Sequence, residues 1–200
     1  MLRRSVGFAV AAGALSAVSA LALAAPVAAS GDGGRGGSKG GGSEIEIHDD
    51  CQPASFNAAF GAGVCVGEGR TTVTAFFAEL AATKAAAAWN FDPSMLTIRG
   101  GRPVILENEG GETHTFTMVK MVGGGFIAPL NIASNNPVPA PECATTLADG
   151  KTLVPTPASP VNVLVAADKE VAFKTAGLKP GKYLFECCIH PWMRVVLTVR

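Results

Sequence analysis

The segment that closes the chain places the strongest limit on the fold. Residues 183 to 187 read Tyr-Leu-Phe-Glu-Cys, an aromatic and apolar run typical of a β-strand. Side chains along a strand point alternately to opposite faces, so Tyr183, Phe185 and Cys187 share one face. The two aromatic rings mark this face as the one that meets the core. We therefore expect the Cys187 thiol to point inward at the end of a buried strand.

Two further candidate ligands follow Cys187 closely in the sequence. His190 and Met193 lie in a short segment that also contains Pro191. A turn at this proline can return both side chains to the end of the strand. A thiolate, an imidazole and a thioether that meet at one point form a soft site suited to copper.

A trigonal copper site needs a second imidazole, and the chain contains three histidines in all. His48 lies in the acidic residues 46 to 50, which we expect to form a solvated face. His114 follows a pair of glycines at the start of a predicted strand and can reach the closing turn. Each candidate alone has an ordinary structural explanation, so the prediction depends on order and spacing together. The predicted metal ligands are His114, Cys187, His190 and Met193.

Several short segments in the second half of the chain have the composition of strands. They are Met95 to Arg99, Pro103 to Glu107, Thr113 to Val119, Val161 to Val165, Glu170 to Lys174, Lys182 to Cys187 and Met193 to Val199. This pattern predicts an all-β fold, a Greek-key β-sandwich over residues 91 to 200. Residues 123 to 160, rich in Gly, Pro and Asn, interrupt it with a long connection of undefined shape. Long connections of this kind are usually functional or cover another part of the molecule.

Residues 44 to 90 are predicted to form an N-terminal extension that carries a disulfide loop and a helix. Ile45 to Ile47 alternates apolar and acidic residues, as in a short edge strand. Cys51 and Cys65 bracket a loop that contains Gly and Asn, and we expect them to pair with each other.

The predicted helix runs from about Val73 to Ala88 and is capped by Thr71 or Thr72. Apolar residues recur at helical spacing around Phe76, and the final alanines have high helix propensity. An aromatic stripe at this spacing belongs more often to a core than to a cofactor site. We therefore expect Phe76 to pack against the domain.

The first 43 residues are expected to lie outside the fold. Arg3 and Arg4 precede an apolar, Ala-rich run that ends in small residues of the kind that signal peptidase accepts. We interpret residues 1 to 24 as an export signal, with an uncleaved membrane anchor as the alternative. The paired arginines leave the twin-arginine route open. Residues 25 to 43, rich in Gly and Ser, are predicted to be a flexible linker.

The charge balance excludes one class of partner. Without Arg3 and Arg4 the 16 basic residues become 14, against 16 acidic residues. No basic stripe is available to collect phosphates, so we expect no nucleic-acid binding. We expect a monomer that is periplasmic or secreted, without stable membrane insertion once the signal is cleaved.

The order and spacing of the candidate ligands resemble those of the cupredoxins, the blue-copper proteins. Asn108 lies six residues before His114, and the sequence Cys-x-x-His-Pro-x-Met leads into a strand. The short closing loop is most similar to that of amicyanin and its plastocyanin-like relatives. The resemblance spans about residues 91 to 200, apart from the long middle connection.

The resemblance implies a mononuclear type 1 copper site. It assigns three ligands to a plane, His114, Cys187 and His190, and a weak axial bond to Met193. Such a site suits both Cu(I) and Cu(II) with little rearrangement, so we expect a one-electron carrier that works with redox partner proteins. Four protein ligands leave no open position, so we expect no enzymatic activity.

Two alternative functions stay open at this point. One is a periplasmic copper-binding or delivery protein, although the chain has no Met-rich or His-rich tract for collecting copper. The other is a copper-free interaction domain on the same scaffold. Trp192 is expected either to shield the site, to form part of a docking patch, or to serve ordinary loop packing.

Five cysteines in an exported chain leave one thiol without a partner. Adjacent strand residues face opposite ways, so Cys188 can pair with Cys143 in the middle connection. Together with the pair Cys51 and Cys65, this leaves Cys187 free as a ligand. The alternative, a disulfide between Cys187 and Cys188, would consume the ligand and demands an awkward backbone.

Overall fold

A computed structural model describes residues 43 to 200. The predicted export signal and all of the predicted linker except Ser43 lie outside the described residues. None of the helices within residues 43 to 200 is long and apolar enough to cross a membrane.

The described chain is built mainly from strands that form two larger sheets and one two-stranded ribbon. The strands are β1 (Glu44–His48), β2 (Asn90–Asp92), β3 (Met95–Ile98), β4 (Val104–Asn108), β5 (His114–Val119), β6 (Ala144–Thr146), β7 (Leu153–Pro155), β8 (Asn162–Val165), β9 (Glu170–Phe173), β10 (Gly181–Glu186) and β11 (Arg194–Val199). The helices are α1 (Pro53–Phe60), α2 (Val73–Thr83) and α3 (Ala128–Ala133). One sheet has the order β2-β1-β4-β9, the other has the order β3-β11-β10-β5-β8, and β6 pairs with β7.

The core lies between the two larger sheets. Phe116 of β5 and Phe185 of β10 stack with ring centroids 4.1 Å apart. Phe173 of β9, in the opposite sheet, meets both rings edge-on at 5.4 and 5.2 Å. The chain crosses between the sheets from β2 to β3, from β3 to β4, from β4 to β5, from β8 to β9 and from β9 to β10. The predicted all-β Greek-key sandwich is confirmed, and each strand predicted in the second half is displaced by no more than one residue at either end.

The first strand takes a different place from the one predicted. β1 was expected at an edge of the sheet and outside the sandwich, but it lies between β2 and β4. Ile45 and Ile47 are fully buried, as their alternation predicts. His48 ends the strand half-buried between two carboxylates, 3.3 Å from Glu46 and 3.5 Å from Glu109. Alternation predicts which side chains are buried, but not which distant strand covers the second edge.

The predicted helix ends earlier than its alanines suggest. The side-chain oxygen of Thr72 accepts a backbone N–H of the first turn at 3.2 Å, which confirms the predicted cap. The helix stops at Thr83 rather than Ala88, because Lys84 adopts the left-handed conformation with φ of 68°. Trp89 is 1% exposed and packs against two phenylalanine rings. Burying this indole outweighs the small helix preference of each alanine before it.

The loop predicted between Cys51 and Cys65 contains a helix. α1 begins with Pro53 in its first turn, a common position for proline at a helix start, and it buries Phe56. The predicted disulfide between Cys51 and Cys65 is present.

The middle connection, residues 123 to 160, holds α3, β6 and β7 and covers the end of β10. Its disulfide from Cys143 to Cys188 is present, and Cys187 is the free cysteine. The backbone N–H of Phe126 donates to the Cys188 carbonyl at 2.9 Å. A Cβ on Gly125 would overlap this same carbonyl, so only glycine permits so close an approach.

Candidate metal centre

Two imidazoles and one thiolate converge at the ends of β5 and β10. Sγ of Cys187 lies 3.7 Å from Nδ1 of His114 and 3.9 Å from Nδ1 of His190. The two Nδ1 atoms are 3.3 Å apart. All three residues are buried, with at most 2% of their surface exposed. The triangle therefore presents three potential ligand atoms to one enclosed point.

The size of this triangle can be compared with that of a metal site. For metal bonds of about 2.0 Å to nitrogen and about 2.3 Å to sulfur, a trigonal plane separates nitrogen from sulfur by ~3.7 Å and the nitrogens by ~3.5 Å. Each separation found here agrees within about 0.2 Å of those values. A trigonal set of two histidines and one cysteine is the arrangement that copper takes in electron-transfer sites. The residues present therefore fit copper.

Met193 closes the turn that carries His190. Its backbone N–H donates to the His190 carbonyl at 2.9 Å, and its own carbonyl accepts the backbone N–H of Cys187 at 3.0 Å. Its side chain is 1% exposed and belongs to the same core cluster as Cys187. These two hydrogen bonds bring the backbone of Met193 back to the end of β10.

The Cys187 sulfur sits among hydrogen-bond donors. The backbone N–H groups of Thr115 and His190 donate to Sγ at 3.4 and 3.5 Å. Burial by itself would raise the pKa of the Cys187 thiol, but its hydrogen bonds with His114 and His190 lower that pKa well below the ordinary value. The site therefore favours the thiolate, which is the form that binds metals.

A buried carboxylate holds the far side of the His114 ring. Nε2 of His114 donates to Oδ2 of Asp49 at 2.9 Å, and both side chains have no exposed surface. The Asp49 carboxylate also accepts backbone N–H groups from Cys51, Gly111 and Glu112, at 3.2, 3.0 and 2.9 Å. Asp49 therefore joins β1 to the turn that precedes β5.

These contacts set the protonation of both groups in the metal-free protein. Burial by itself would raise the pKa of Asp49, but the hydrogen bond and charge of His114 and the backbone donors lower it to about 2. Burial by itself would lower the pKa of His114, but Asp49 and Cys187 raise it to about 9. The carboxylate beside His114 is therefore ionised at neutral pH.

The second imidazole has a weaker carboxylate neighbour. Nε2 of His190 lies 3.6 Å from Oε2 of Glu112, beyond normal hydrogen-bond length. The same Oε2 accepts the indole N–H of Trp89 at 2.6 Å. Burial raises the pKa of Glu112, although the charge of His190 and the bond from Trp89 oppose this change. The His114 ring is therefore hydrogen-bonded to a carboxylate, whereas the His190 ring is only near one.

Aromatic side chains cover the His190 ring. Phe76 and Trp89 meet it with ring centroids 6.4 and 6.5 Å away, and Trp192 meets it at 5.4 Å. Trp192 is partly exposed, and its N–H donates to the Ala86 carbonyl at 3.2 Å. Phe76 packs against the sandwich, as predicted, and also lies over the site. Residues before β2 therefore cover one side of the metal centre.

Asp49 is not predicted from the sequence as part of the site. The acidic stretch that contains His48 predicts a solvated face, and no partner of His114 is predicted. Asp49 is buried because β1 pairs in parallel with β4, which leads into the turn before His114. This long-range pairing leaves no local signal in the sequence. His48, set aside as a ligand, lies in a separate group with Glu46 and Asp92.

No protein-family model and no curated protein matches this chain. Among solved structures, it is similar to a purple cupredoxin from Nitrosopumilus maritimus, with 14% identity and a TM-score of 0.39 over 78% of this chain and 98% of that one. An oxidised variant of amicyanin gives 12% identity and a TM-score of 0.36 over 82% and 88% of the two chains. A copper-containing nitrite reductase from Thermus scotoductus gives 18% identity and a TM-score of 0.32 over 56% and 20%. None of these scores reaches 0.5, so the assignment of function depends on the residues of this chain.

Proposed function

We propose that this chain is an exported mononuclear type 1 copper protein that carries single electrons. The observation that carries the proposal is the buried triangle of two Nδ1 atoms and one Sγ atom, with the size of a trigonal metal site. His114, Cys187, His190 and Met193 would hold the metal.

When bound, copper would supply a Cu(I)/Cu(II) couple that exchanges one electron at a time. The protein's part is to keep the ligands in place in both oxidation states. Backbone hydrogen bonds hold Cys187 and the closing turn, and Asp49 holds the His114 ring. Ligands fixed in this way need little rearrangement when the charge on the metal changes.

Ligand burial supports a carrier over the alternatives. Copper delivery requires ligands that exchange with a partner, but each of the four candidates is at most 2% exposed. A redox enzyme of the open-site kind needs a vacant position for substrate, and four protein ligands would leave none. A copper-free interaction domain gives no reason for a thiolate between two imidazoles in a closed pocket. We therefore propose a non-enzymatic carrier.

Electron exchange requires an approach to the site from outside. Trp192 is partly exposed and contacts the buried His190 ring, so it offers an aromatic connection between a ligand and the surface. The partners would be redox proteins that dock at this side. Two disulfides in the described chain suit the oxidising periplasmic or extracellular location proposed here.

The test is a visible absorption spectrum of the oxidised protein during Cu(II) titration. We expect an intense thiolate-to-copper band that saturates at one copper per chain, disappears on mild reduction and returns on oxidation. The Cys187→Ser variant removes the thiolate and should lose the band. The Met193→Leu variant is the matched control, since it should keep the band and change the reduction potential. A Cys187→Ser protein with an unchanged band would overturn the proposal.

A further inference from the structure

We propose that Asp49 is a positioning residue of the copper site, which holds the His114 ring with Nδ1 toward the metal and stabilises Cu(II) relative to Cu(I). This inference rests on the proposed copper-carrier function. Asp49 contacts the candidate ligand His114 and would not itself bind the metal.

The hydrogen bond to Asp49 selects one form of the His114 ring. An ionised carboxylate can only accept, so the ring nitrogen that faces it, Nε2, must carry the proton. Nδ1 then points to the Cys187 sulfur at 3.7 Å and is the ring nitrogen at which a metal would replace a proton. Rotating the ring by half a turn would break this buried hydrogen bond and leave the carboxylate without its side-chain donor. The ring is thus oriented before any metal binds.

Asp49 itself is held tightly. Backbone N–H groups of Cys51, Gly111 and Glu112 bind its two oxygens. A Cβ at position 110 would overlap the carboxylate, so glycine there lets the turn wrap around it. A carboxylate fixed by four donors has little freedom to move away when the charge on the ring changes.

The carboxylate also carries a charge into a site without exposed surface. Neither Asp49 nor His114 has an exposed side chain, so solvent screens their interaction weakly. A negative charge beyond a ligand makes that ligand more basic and favours the more highly charged metal ion. Asp49 should therefore strengthen Cu(II) binding more than Cu(I) binding.

Glu112 does not provide the same support to His190. Its Oε2 lies 3.6 Å from the ring nitrogen and is bound to the Trp89 indole instead. Only the His114 ring therefore has a carboxylate at hydrogen-bond distance. We assign the expected stabilisation of Cu(II) to Asp49 for this reason.

The first experiment compares the copper-loaded Asp49→Asn variant with the wild-type protein. We expect Cu(II) affinity to fall about 10- to 100-fold, the range found when partners of metal ligands are removed. If Cu(I) affinity is unchanged, each tenfold loss appears as a rise of about 59 mV in the reduction potential.

The matched control is Asp50→Asn, which removes a neighbouring charge of the same kind. Asp50 binds Thr71 and the backbone of Arg70 and makes no contact with the ligands. Its potential should stay at the wild-type value. An equal rise in both variants would mean that general charge is responsible, and an unchanged potential in Asp49→Asn would overturn the inference while the wild-type copper band still supports the proposed function.

A second measurement needs no variant and covers the case in which Asp49→Asn does not fold. In the Cu(I) form, nitrogen-15 NMR of the wild-type imidazoles should show one Nε2–H, assigned to His114, that exchanges slowly with solvent. Rapid exchange of that proton, or a ring protonated at Nδ1, would overturn the inference. A wild-type protein without any thiolate-copper band would instead overturn the proposed function, and this inference with it.

Discussion

The N-terminal segment, residues 44 to 92, packs against the candidate metal centre, and the middle segment, residues 123 to 160, packs against the adjoining end of β10, but buried carboxylates differ in charge at the two segments. In the N-terminal segment, Asp49 accepts three backbone N–H groups and the His114 ring, and its pKa falls to about 2. Against the middle segment, the buried Glu186 carboxylate accepts one backbone N–H, from Gly123 at 3.0 Å. Arg194 lies 4.0 Å away from it. Burial raises the pKa of Glu186 to about 7 despite these two contacts.

The difference shows that donors and neighbouring charges together decide the charge state of a buried carboxylate. Burial opposes ionisation in both cases. At Asp49 four donors and the charge of His114 overcome it, whereas at Glu186 the charges of Cys187 and Glu142 add to it and a single close donor does not overcome it. The N-terminal segment therefore keeps a fixed negative charge beside His114. The middle segment covers the neighbouring strand with backbone contacts and the Cys143–Cys188 disulfide.

The largest expected effects come from removing the disulfide of each segment. Loop-closure entropy gives about 4 kcal/mol for a loop of the Cys143–Cys188 size and about 3 kcal/mol for one of the Cys51–Cys65 size. The sequence separations are 45 and 14 residues. We expect the double alanine variants to lose stability in this order in urea unfolding of the metal-free protein. The reverse order would mean that contacts in the folded segments, and not loop length, decide the two losses.

The next effect concerns the buried carboxylate at the middle segment. The folded-state pKa of Glu186 lies above its ordinary value of 4.5, so the folded protein retains a proton that the unfolded chain releases. Its contribution favours folding below about pH 4.5 and is lost as the pH rises toward 7. Gln does not titrate, so this loss is absent in Glu186→Gln. The free energy of unfolding of the metal-free variant, relative to that of the metal-free wild type, should therefore be up to about 3 kcal/mol larger at pH 8 than at pH 4. Urea unfolding at the two pH values measures it, and an equal difference at both would contradict it.

Asp49→Asn serves as the opposite control in the same experiment. The pKa of Asp49 is lowered from 3.8 to about 2, so its ionised form stabilises the fold above pH 4. That contribution, about 2 kcal/mol, is lost as the pH falls through 2. The substitution should therefore be more destabilising at neutral pH than near pH 2, whereas Glu186→Gln should become more favourable as the pH rises.

The smallest expected effect is the loss of stability when the N-terminal cap of α2 is removed. Thr72 caps this helix, so Thr72→Ala should cost about 1 kcal/mol in urea unfolding. Thr74→Ala makes the same chemical change at an exposed position inside the helix and should be neutral or slightly stabilising. Equal losses in the two variants would show that the cap contributes nothing.

Several parts of the fold and of the candidate site follow from local sequence. The strands of the second half appear where alternation and turn residues predict them, because these patterns depend on neighbours along the chain. The Thr72 cap and the Cys51–Cys65 pairing follow from short-range chemistry in the same way. The early end of α2 does not, because burial of Trp89 outweighs local helix preference.

The sequence by itself determined the all-β class, the two disulfides and the set of residues that converge at the strand ends. Tertiary structure alone decided that β1 lies inside a sheet, that Asp49 meets His114, and that Phe76 and Trp89 lie against His190. The physical reason is the range of the interactions. Cys187, His190 and Met193 lie a few positions apart in the sequence, whereas Asp49 and the aromatic rings beside His114 and His190 come from segments distant in the chain.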